Sequence, residues 1–380
     1  MEQLLALAVT AADQAEVFCH EQVTDTVAYQ DARLHDISTN YLSGFSLRII
    51  KGGKLGFAYT RNLLDRQGLV DNALRSLGGG VEAGYALPAD APAGALDTYD
   101  DSVRALTGAQ LVDEARRICG ILKTRAAGEI TVAVQTSRDS LRIINSSGAD
   151  LAGRSTAAGT FADIIYPGSG SGIGRAHYAK RLEPMPDGMI DEMVELFGRG
   201  RTTVEPAGGR MRVLFMPGSM ITLLWRLFSG LSGRSVYENI SPLAGRAGQR
   251  LFSGQLTVVD DPLRDSVPGA RAFDDEGTAC RRRPLVEQGV VRDFYCDLNY
   301  GAKLGAASTG HGYRSGDPVM ARPGPALTHC FIEPGTATLS QLVAMMDRGI
   351  IVEGALGPHS GNIPNGDYSI GVSPGLYVEG

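Results

Sequence analysis

The six histidines are the residues of this chain with the widest chemistry, because imidazole both binds metals and moves protons near neutral pH. They stand at positions 20, 35, 177, 311, 329 and 359, and no two of them have the spacing of metal ligands on one helix. His329 and Cys330 are adjacent in a predicted strand, so their side chains point to opposite faces. The histidines therefore predict no self-contained zinc site.

Two short motifs resemble catalytic or phosphate-binding sequences. Ser360 stands beside a histidine in GPHSG at 357–361, but the pattern is not the GxSxG elbow, and the side chains of adjacent residues usually diverge. The glycine-rich stretch 168–174, GSGSGIG, is not followed by the helical stripe that a phosphate cradle needs. We expect a turn at Ser360 and a loop at 168–174.

Charged clusters offer the next candidates. The acidic runs 260–261 and 274–276 could bind a hard cation, although their positions ahead of a proline and a glycine favour a role in turns. The only basic run is 281–283, and the net charge of -6 gives no attractive field for nucleic acid. Direct DNA binding is therefore not expected.

Composition sets the class of protein. The 380 residues are 43% hydrophobic, which is enough for two or three folded domains. Five widely spaced cysteines form no CxxC pair and favour a reducing compartment. The first residues lack a basic signal-peptide region, and no apolar segment is long enough to span a bilayer. These features predict a cytoplasmic protein.

The pattern of elements predicts an α+β fold. A helix over 4–18 is followed by β-favouring runs, with a hairpin centred on Gly52 and Gly53. Helix, strands and helix then recur, which predicts a structural duplication in a mixed α/β N-terminal region. We expect domains at 1–80, 107–205 and 206–380, with a linker at 81–106 and a strand-rich C-terminal domain.

The stretch 211–235 is predicted to be the centre of the C-terminal domain. A short apolar strand at 213–215 runs through a Pro-Gly pair into apolar residues at helical spacing, which predicts a buried strand and a buried helix. Between Met216 and Ser235 there is no His, Cys, Asp or Glu. This helix can therefore supply neither a metal ligand nor a general base.

Seven stretches, in order along the chain, resemble the signatures of the TldD/PmbA family, whose members are often labelled modulators of DNA gyrase. They are residues 44–60, LAGRAGQ at 243–249, LTVVDD at 256–261, FDDEGT at 273–278, NYGAKLG at 299–305, STGHG at 308–312 and GDYS at 366–369. The resemblance spans nearly the whole chain.

The resemblance implies a zinc peptidase fold. In the TldD branch an HExxxH helix supplies two histidine ligands and a glutamate base, whereas the PmbA (TldE) branch lacks that motif. The register of the later motifs aligns HExxxH with LWRLFS at 224–229, and the ending at 366–371 is similar to the PmbA type. Family members usually continue beyond the position of Gly380, so the resemblance also implies a truncated or divergent C-terminus.

The leading hypothesis is a non-catalytic, PmbA/TldE-like subunit of a TldD-type zinc metallopeptidase complex. It would carry no catalytic residue, metal or cofactor of its own; the zinc would be on a TldD-like partner, and both would enclose an extended peptide. Arg283, His311, Asp367 and Tyr368 are the predicted substrate- or partner-binding residues. Two alternatives are a stand-alone homodimeric hydrolase with His311 or His359 as base, and a gyrase-modulating binding protein.

Overall fold

The first structural unit is a three-stranded antiparallel sheet with helices before and after it. The computed structural model describes residues 1–89, 94–362 and 366–379. The elements of this unit are α1 (Glu2–Val9), β1 (Gln14–Gln30), β2 (Arg33–Lys51), β3 (Lys54–Thr60), α2 (Arg66–Ser76) and a 3-10 turn (Leu77–Gly79). The predicted hairpin is confirmed, since β2 and β3 meet at Gly52 and Gly53, whose φ values are 56° and 71°.

The helix predicted over 4–18 is wrong in its second half. Helix α1 ends at Val9, and β1 begins at Gln14. The apolar residues after position 14 face the sheet core at alternate positions instead of at helical spacing. Pairing with two neighbouring strands therefore overrides local helix propensity here.

The second unit repeats the order of the first. Its elements are α3 (Ser102–Ala105), α4 (Gly108–Arg125), β4 (Glu129–Asn145), β5 (Asp150–Ile165), β6 (Gly172–Ala179) and α5 (Asp187–Arg199). Thr107 precedes α4 as its N-cap, and its backbone N–H donates to Gln110 Oε1 at 2.9 Å. The segment between the two units packs partly against the sheet, because Ala83 and Leu87 are buried; residues 90–93 lie outside the described residues.

The two units share one six-stranded sheet in the order β3-β2-β1-β4-β5-β6. Antiparallel β1 and β4 pair around Val23 and Arg138 at the centre of the sheet. Gln14, the first residue of β1, pairs with Ile50 of β2, and Glu129, the first residue of β4, pairs with Ile165 of β5. Both members of the second pair lie 115 positions after the corresponding members of the first. The repeats are thus related by a pseudo-twofold axis through the Val23–Arg138 pair.

The two faces of the sheet have different partners. On one face, α1 and α2 cover one end and α4 and α5 cover the other, over buried residues such as Val17, Val27, Leu47 and Val132. The opposite face carries Glu16, Phe18 and His20 at alternate positions of β1 and meets the C-terminal region. A sheet buried on both faces therefore supports everything that follows in the chain.

The C-terminal region is made of short strands and short helices. It comprises β7 (Arg212–Phe215), α6 (Ile221–Leu231), α7 (Gly233–Tyr237), β8 (Val258–Asp260), β9 (Arg283–Glu287), β10 (Val290–Val291), α8 (Leu298–Lys303), β11 (Gly312–Tyr313), β12 (Gly324–Pro325), β13 (Cys330–Ile332), α9 (Leu339–Ala344), β14 (Arg348–Val352), β15 (Ala355–Leu356), β16 (Gly361–Asn362), β17 (Asp367–Tyr368), β18 (Gly371–Val372) and β19 (Gly375–Glu379). The fold is α+β with a strand-rich C-terminal region, as predicted.

The predicted burial of the stretch 211–235 is wrong. Val213 is 50% exposed, Ile221 53% and Trp225 37%. Strand β7 is the edge of a three-stranded sheet in the order β19-β14-β7, and only the C-terminal end of α6 packs into a core cluster around Leu231. None of the helices within the described residues is long and apolar enough to cross a membrane.

Candidate functional site

A cavity of about 570 Å³ lies beside α6 and is lined mainly by hydroxyl and amide side chains. The lining residues are Ser229, Ser232, Ser235, Ile240, Tyr295, Gly361 and Asn362. Ser229 comes from the last turn of α6, and Gly361 and Asn362 form β16. We call this space the serine-lined cavity. Ser229 is the position at which the resemblance described above implies the second histidine of an HExxxH helix.

The residues around the serine-lined cavity do not fit a zinc ion. Zinc in proteins is held by thiolate, imidazole and carboxylate groups, and none of the lining side chains is one of these. Leu224 and Trp225 occupy the positions of the first histidine and the glutamate. Nowhere in the described part of the chain do three His, Cys, Asp or Glu side chains group closely enough to hold a metal ion.

Helix α6 instead holds a loop in place. The Arg226 guanidinium donates to the carbonyl oxygens of Pro358 and Ser360, and it lies over the Trp225 ring at 5.0 Å from the centroid. The Ser360 N–H donates to Gly357 O at 2.9 Å, which confirms the predicted turn. His359 and Ser360 are exposed to solvent and share no hydrogen bond with each other.

His311 lies directly behind the serine-lined cavity. It is completely buried, and its ring centroid is 5.7 Å from that of Tyr295, which lines the cavity. His311 Nε2 is 3.2 Å from Asp260 Oδ2, and its Nδ1 is 2.9 Å from Thr309 Oγ1. Both ring nitrogens therefore have protein partners, so this imidazole positions neighbouring groups and does not meet solvent.

The structure distributes the other predicted site residues around the same region. Arg283 pairs in register with Asp260 on β8 and forms an ion pair with Asp293. Asp367 and Tyr368 form β17, which pairs with the β16 strand that lines the serine-lined cavity. Tyr368 is 45% exposed and therefore reachable by another molecule. Tyr295 and the cavity serines were missed by the sequence analysis, because hydroxyl groups carry no spacing signal.

The acidic runs serve mainly as acceptors for backbone N–H groups. Asp274 accepts from the N–H groups of Glu276, Thr278 and Gly312 at 2.8–3.0 Å. Asp260 Oδ1 accepts from the N–H of His329 at 3.0 Å. Both carboxylates are completely buried. The interpretation as turn residues agrees with the bonds of Asp274, but it is wrong for Asp260, which is the last residue of strand β8 and pairs with Arg283 and Cys330.

A buried ionic network, which the sequence analysis missed, joins the sheet to the C-terminal region. Arg48 Nη2 is 2.6 Å from Glu16 Oε2, and its Nη1 is 2.5 Å from Glu276 Oε1. Arg314 donates to Ser46 Oγ at 2.9 Å and to Glu16 Oε1 at 3.3 Å. All four charged side chains are at most 7% exposed. The one available sequence signal was that Arg48 and Glu16 each stand between apolar neighbours in a strand.

Carboxyl groups around this network bind protons unusually tightly. Burial and the nearby charge of Glu276 raise the pKa of Asp297 to about 7. The same two causes raise the pKa of Asp274 well above its usual range. Burial lowers the pKa of Arg314 to about 10, although Glu16 beside it favours the charged form. Burial and the negative charge of Glu276 thus favour the protonated forms of Asp274 and Asp297, which lie beside the network.

A larger cleft of about 1110 Å³ lies between the sheet and the C-terminal region. His20, Gln22 and Asp139 line it from the sheet, and Arg271 and His329 line it from the other side. Gln22 Nε2 donates to Asp139 Oδ1 at 2.6 Å, and His20 Nε2 lies 3.5 Å from the same oxygen. The cleft is lined by charged, polar and apolar side chains together.

The fold and the site define a class: an α+β protein with a peptidase-like C-terminal domain in which the helix beside the cavity carries no metal donor. Two family models match the chain, one described as PmbA/TldA metallopeptidase domain 1 at residues 15–77, the other as PmbA/TldA metallopeptidase C-terminal domain at residues 208–380. Together they cover more than half of the sequence. The chain belongs to the TldD/PmbA family, as the resemblance predicted.

Individual relatives agree with this assignment. An uncharacterized protein of Methanocaldococcus jannaschii is 24% identical over 386 aligned positions, covering 100% of this chain and 88% of the relative. A protein of Methanothermobacter thermautotrophicus named metalloprotease is 23% identical, covering 91% of this chain and 77% of the relative. The crystal structure of TldE from Thermococcus kodakarensis superposes with a TM-score of 0.90 at 21% identity, covering 100% of this chain and 88% of that one.

Proposed function

We propose that this chain is a non-catalytic, PmbA/TldE-like subunit of a TldD-type zinc metallopeptidase complex that processes or degrades peptides. The observation that carries the proposal is helix α6, where Leu224, Trp225 and Ser229 stand in place of two zinc ligands and a general base. A protein surface without a metal donor or a reachable base cannot activate water by metal catalysis.

The exposed apolar residues near α6 support a partner subunit. Val213, Ile221 and Trp225 are each more than one-third exposed, although β7 and α6 are apolar elements. Exposed apolar surface of this kind is typical of protein interfaces. A TldD-like subunit that covers it would place its own zinc centre beside this chain, with a second copy of this chain as the alternative partner.

The peptide-binding part of the proposal rests on the cavities. The serine-lined cavity offers neutral hydrogen-bonding groups that suit a peptide backbone, and Asp367 and Tyr368 lie beside it on β17. All five cysteines are free thiols, which supports action in a reducing compartment such as the cytoplasm. The stand-alone hydrolase is less well supported, because His311 is buried and bonded at both nitrogens, and the exposed His359 shares no hydrogen bond with Ser360.

Metal analysis tests the division of labour. The purified chain is expected to contain no stoichiometric zinc, whereas a complex co-expressed with an HExxxH-bearing relative is expected to contain one zinc per heterodimer. Stoichiometric zinc on this chain alone would contradict the proposal. In the same complex, Tyr368→Ala is expected to lower peptidase activity, with Tyr178→Ala as the matched control, since Tyr178 is an exposed tyrosine on β6.

A further inference from the structure

The outer half of β2 is an open sheet edge. Strand β2 pairs with β1 along nearly its whole length, but β3 pairs only with residues 45–51. Residues 33–44 therefore have a neighbour on one side only. Leu34 is 49% exposed, Ile37 54% and Tyr41 74%. These three share the sheet face that α4 covers further in.

The direction of the free backbone groups follows from the ladder. The Ser43 carbonyl oxygen accepts from Arg61 Nη1 at 3.0 Å and so points away from β1. Because bonding directions alternate along an antiparallel strand, Ile37, Thr39 and Tyr41 also direct their N–H and C=O groups outward. No partner for these outward groups lies among the described residues. Such a row of groups is a template for another strand.

In the second repeat, the equivalent sheet edge is covered by another segment of the chain. With the offset of 115, residues 39–41 correspond to 154–156 of β5, which extends beyond β6 in the same way. There, Thr156 N–H donates to Thr98 O at 3.0 Å, and Thr98 Oγ1 donates to Arg154 O at 2.6 Å. Thr156 is 1% exposed, whereas its counterpart Tyr41 is 74% exposed. An extended segment of the chain covers one edge, and nothing described covers the other.

Little in the sequence of this edge blocks strand addition. Residues 36–43, DISTNYLS, contain no proline or lysine, the residues that usually protect edges. The one irregularity in the β1–β2 register lies between Ala28 and Tyr29, near the turn that joins these two strands. Residues 36–43 therefore pair with β1 in a regular ladder. Ile37, Thr39 and Tyr41 face the helix side, and Asp36, Ser38 and Asn40 face the other.

We propose that the β2 edge at 36–43 binds an extended segment of a different partner protein, which adds to the sheet as a seventh strand. The segment would bond to the outward groups of Ile37, Thr39 and Tyr41 and would present apolar side chains at alternate positions toward Ile37 and Tyr41. The extended, non-repeating stretch around Thr98 on the equivalent edge supports this occupant over a second copy of β2. This inference is independent of the metal-free helix.

A labelled peptide tests the proposal. The probe is fluorescein-labelled Lys-Val-Thr-Val-Thr-Val-Lys-amide, which has the required alternation and keeps its charges at the ends. Fluorescence anisotropy is expected to show saturable binding to the wild-type chain. The same peptide with alternate backbone nitrogens methylated is expected to bind at least tenfold more weakly, because it cannot form the ladder.

Matched variants locate the binding. Thr39→Pro removes an outward N–H without removing a backbone bond to β1 and is expected to weaken binding at least tenfold. Thr39→Val loses the same hydroxyl bond to Asp25 Oδ1 as Thr39→Pro but keeps the N–H, and is expected to bind as wild type. Tyr41→Lys provides a second blocked edge if Thr39→Pro does not fold. Equal binding by the blocked variants, no saturable binding, or dimerisation of the chain through this edge in sedimentation velocity would each overturn the proposal.

Discussion

The six-stranded sheet and the C-terminal region are stabilised by different means. The sheet has strands of up to 19 residues, and its two helix-covered clusters contain fully buried side chains such as Ile118 and Ile130. The C-terminal region has strands of two to five residues and a smaller apolar cluster around Leu231. It is joined to the sheet by the buried ionic network of Arg48 and Arg314 and by a small apolar cluster in which Phe273 packs with Phe18. The six-stranded sheet is stabilised mainly by apolar packing. The C-terminal region depends more on ion pairs and on any molecule that covers its exposed apolar residues.

This difference separates stability from function. Elements that must form a core are complete within the sheet, whereas α6 and α9 leave apolar residues such as Trp225 and Met345 exposed. A partner that binds the folded chain and covers these residues would stabilise the C-terminal region. Four predictions test the difference in stability between the two regions.

The largest effect is expected from breaking the ionic link. Arg48→Met leaves Glu276 buried without its cation and Glu16 paired only with Arg314, and is expected to lower the free energy of unfolding by about 3–5 kcal/mol. Urea unfolding measures this loss. Arg142→Met, which removes an exposed pair with Asp150, is the control and should change stability little. Similar losses in both variants would show that the link is not special.

Paired truncations test the difference between the helices. Ile118→Ala, at a completely buried position of α4, is expected to cost about 2–4 kcal/mol because it opens a cavity in a packed core. Leu224→Ala, in half-exposed α6, is expected to cost less than half of that in the isolated chain. In a complex, the loss for Leu224→Ala should grow if α6 is covered by the partner. An equal cost in the isolated chain would place α6 in the core after all.

The pH dependence reports on the network. Because the pKa of Asp297 is raised to about 7 in the folded state, folding favours its protonated form, and stability falls as pH rises from about 4 to about 7. Asp297→Asn keeps the N-cap of α8 but cannot ionise. The difference in the free energy of unfolding between this variant and the wild type is therefore expected to shift in favour of the variant by on the order of 1–3 kcal/mol between pH 5 and pH 8. Unfolding curves of the wild type and of the variant at the two pH values measure this difference.

The smallest effect compares two capping boxes, one in each region. Thr107→Ala at α4 is expected to cost about 1 kcal/mol of global stability, because α4 packs on the sheet. Thr338→Ala at α9 is expected to increase hydrogen exchange in that helix only, since α9 has no buried residue. A global loss from Thr338→Ala would mean that α9 is part of the cooperative core.

Local signals in the sequence carried much of this fold. The glycine pair at 52–53, the capping threonines 107 and 338 and the repeated order of elements are all encoded by neighbouring residues, and the structure has them. The burial of α6 was mispredicted because an apolar stripe shows that something covers a helix, but not whether that cover is the same chain. The ionic network was missed because its partners, Glu16 and Arg314, are 298 positions apart.

The constant offset between the repeats has a consequence for shorter chains. A polypeptide ending near Gly80 would expose the β1 edge that β4 now occupies. Because β4 is the twofold counterpart of β1, a second copy of the same fragment could dock there around Val23 and rebuild the six-stranded sheet as a symmetric dimer. The N-terminal half of this protein is, in this sense, a dimer whose two subunits have been joined into one chain.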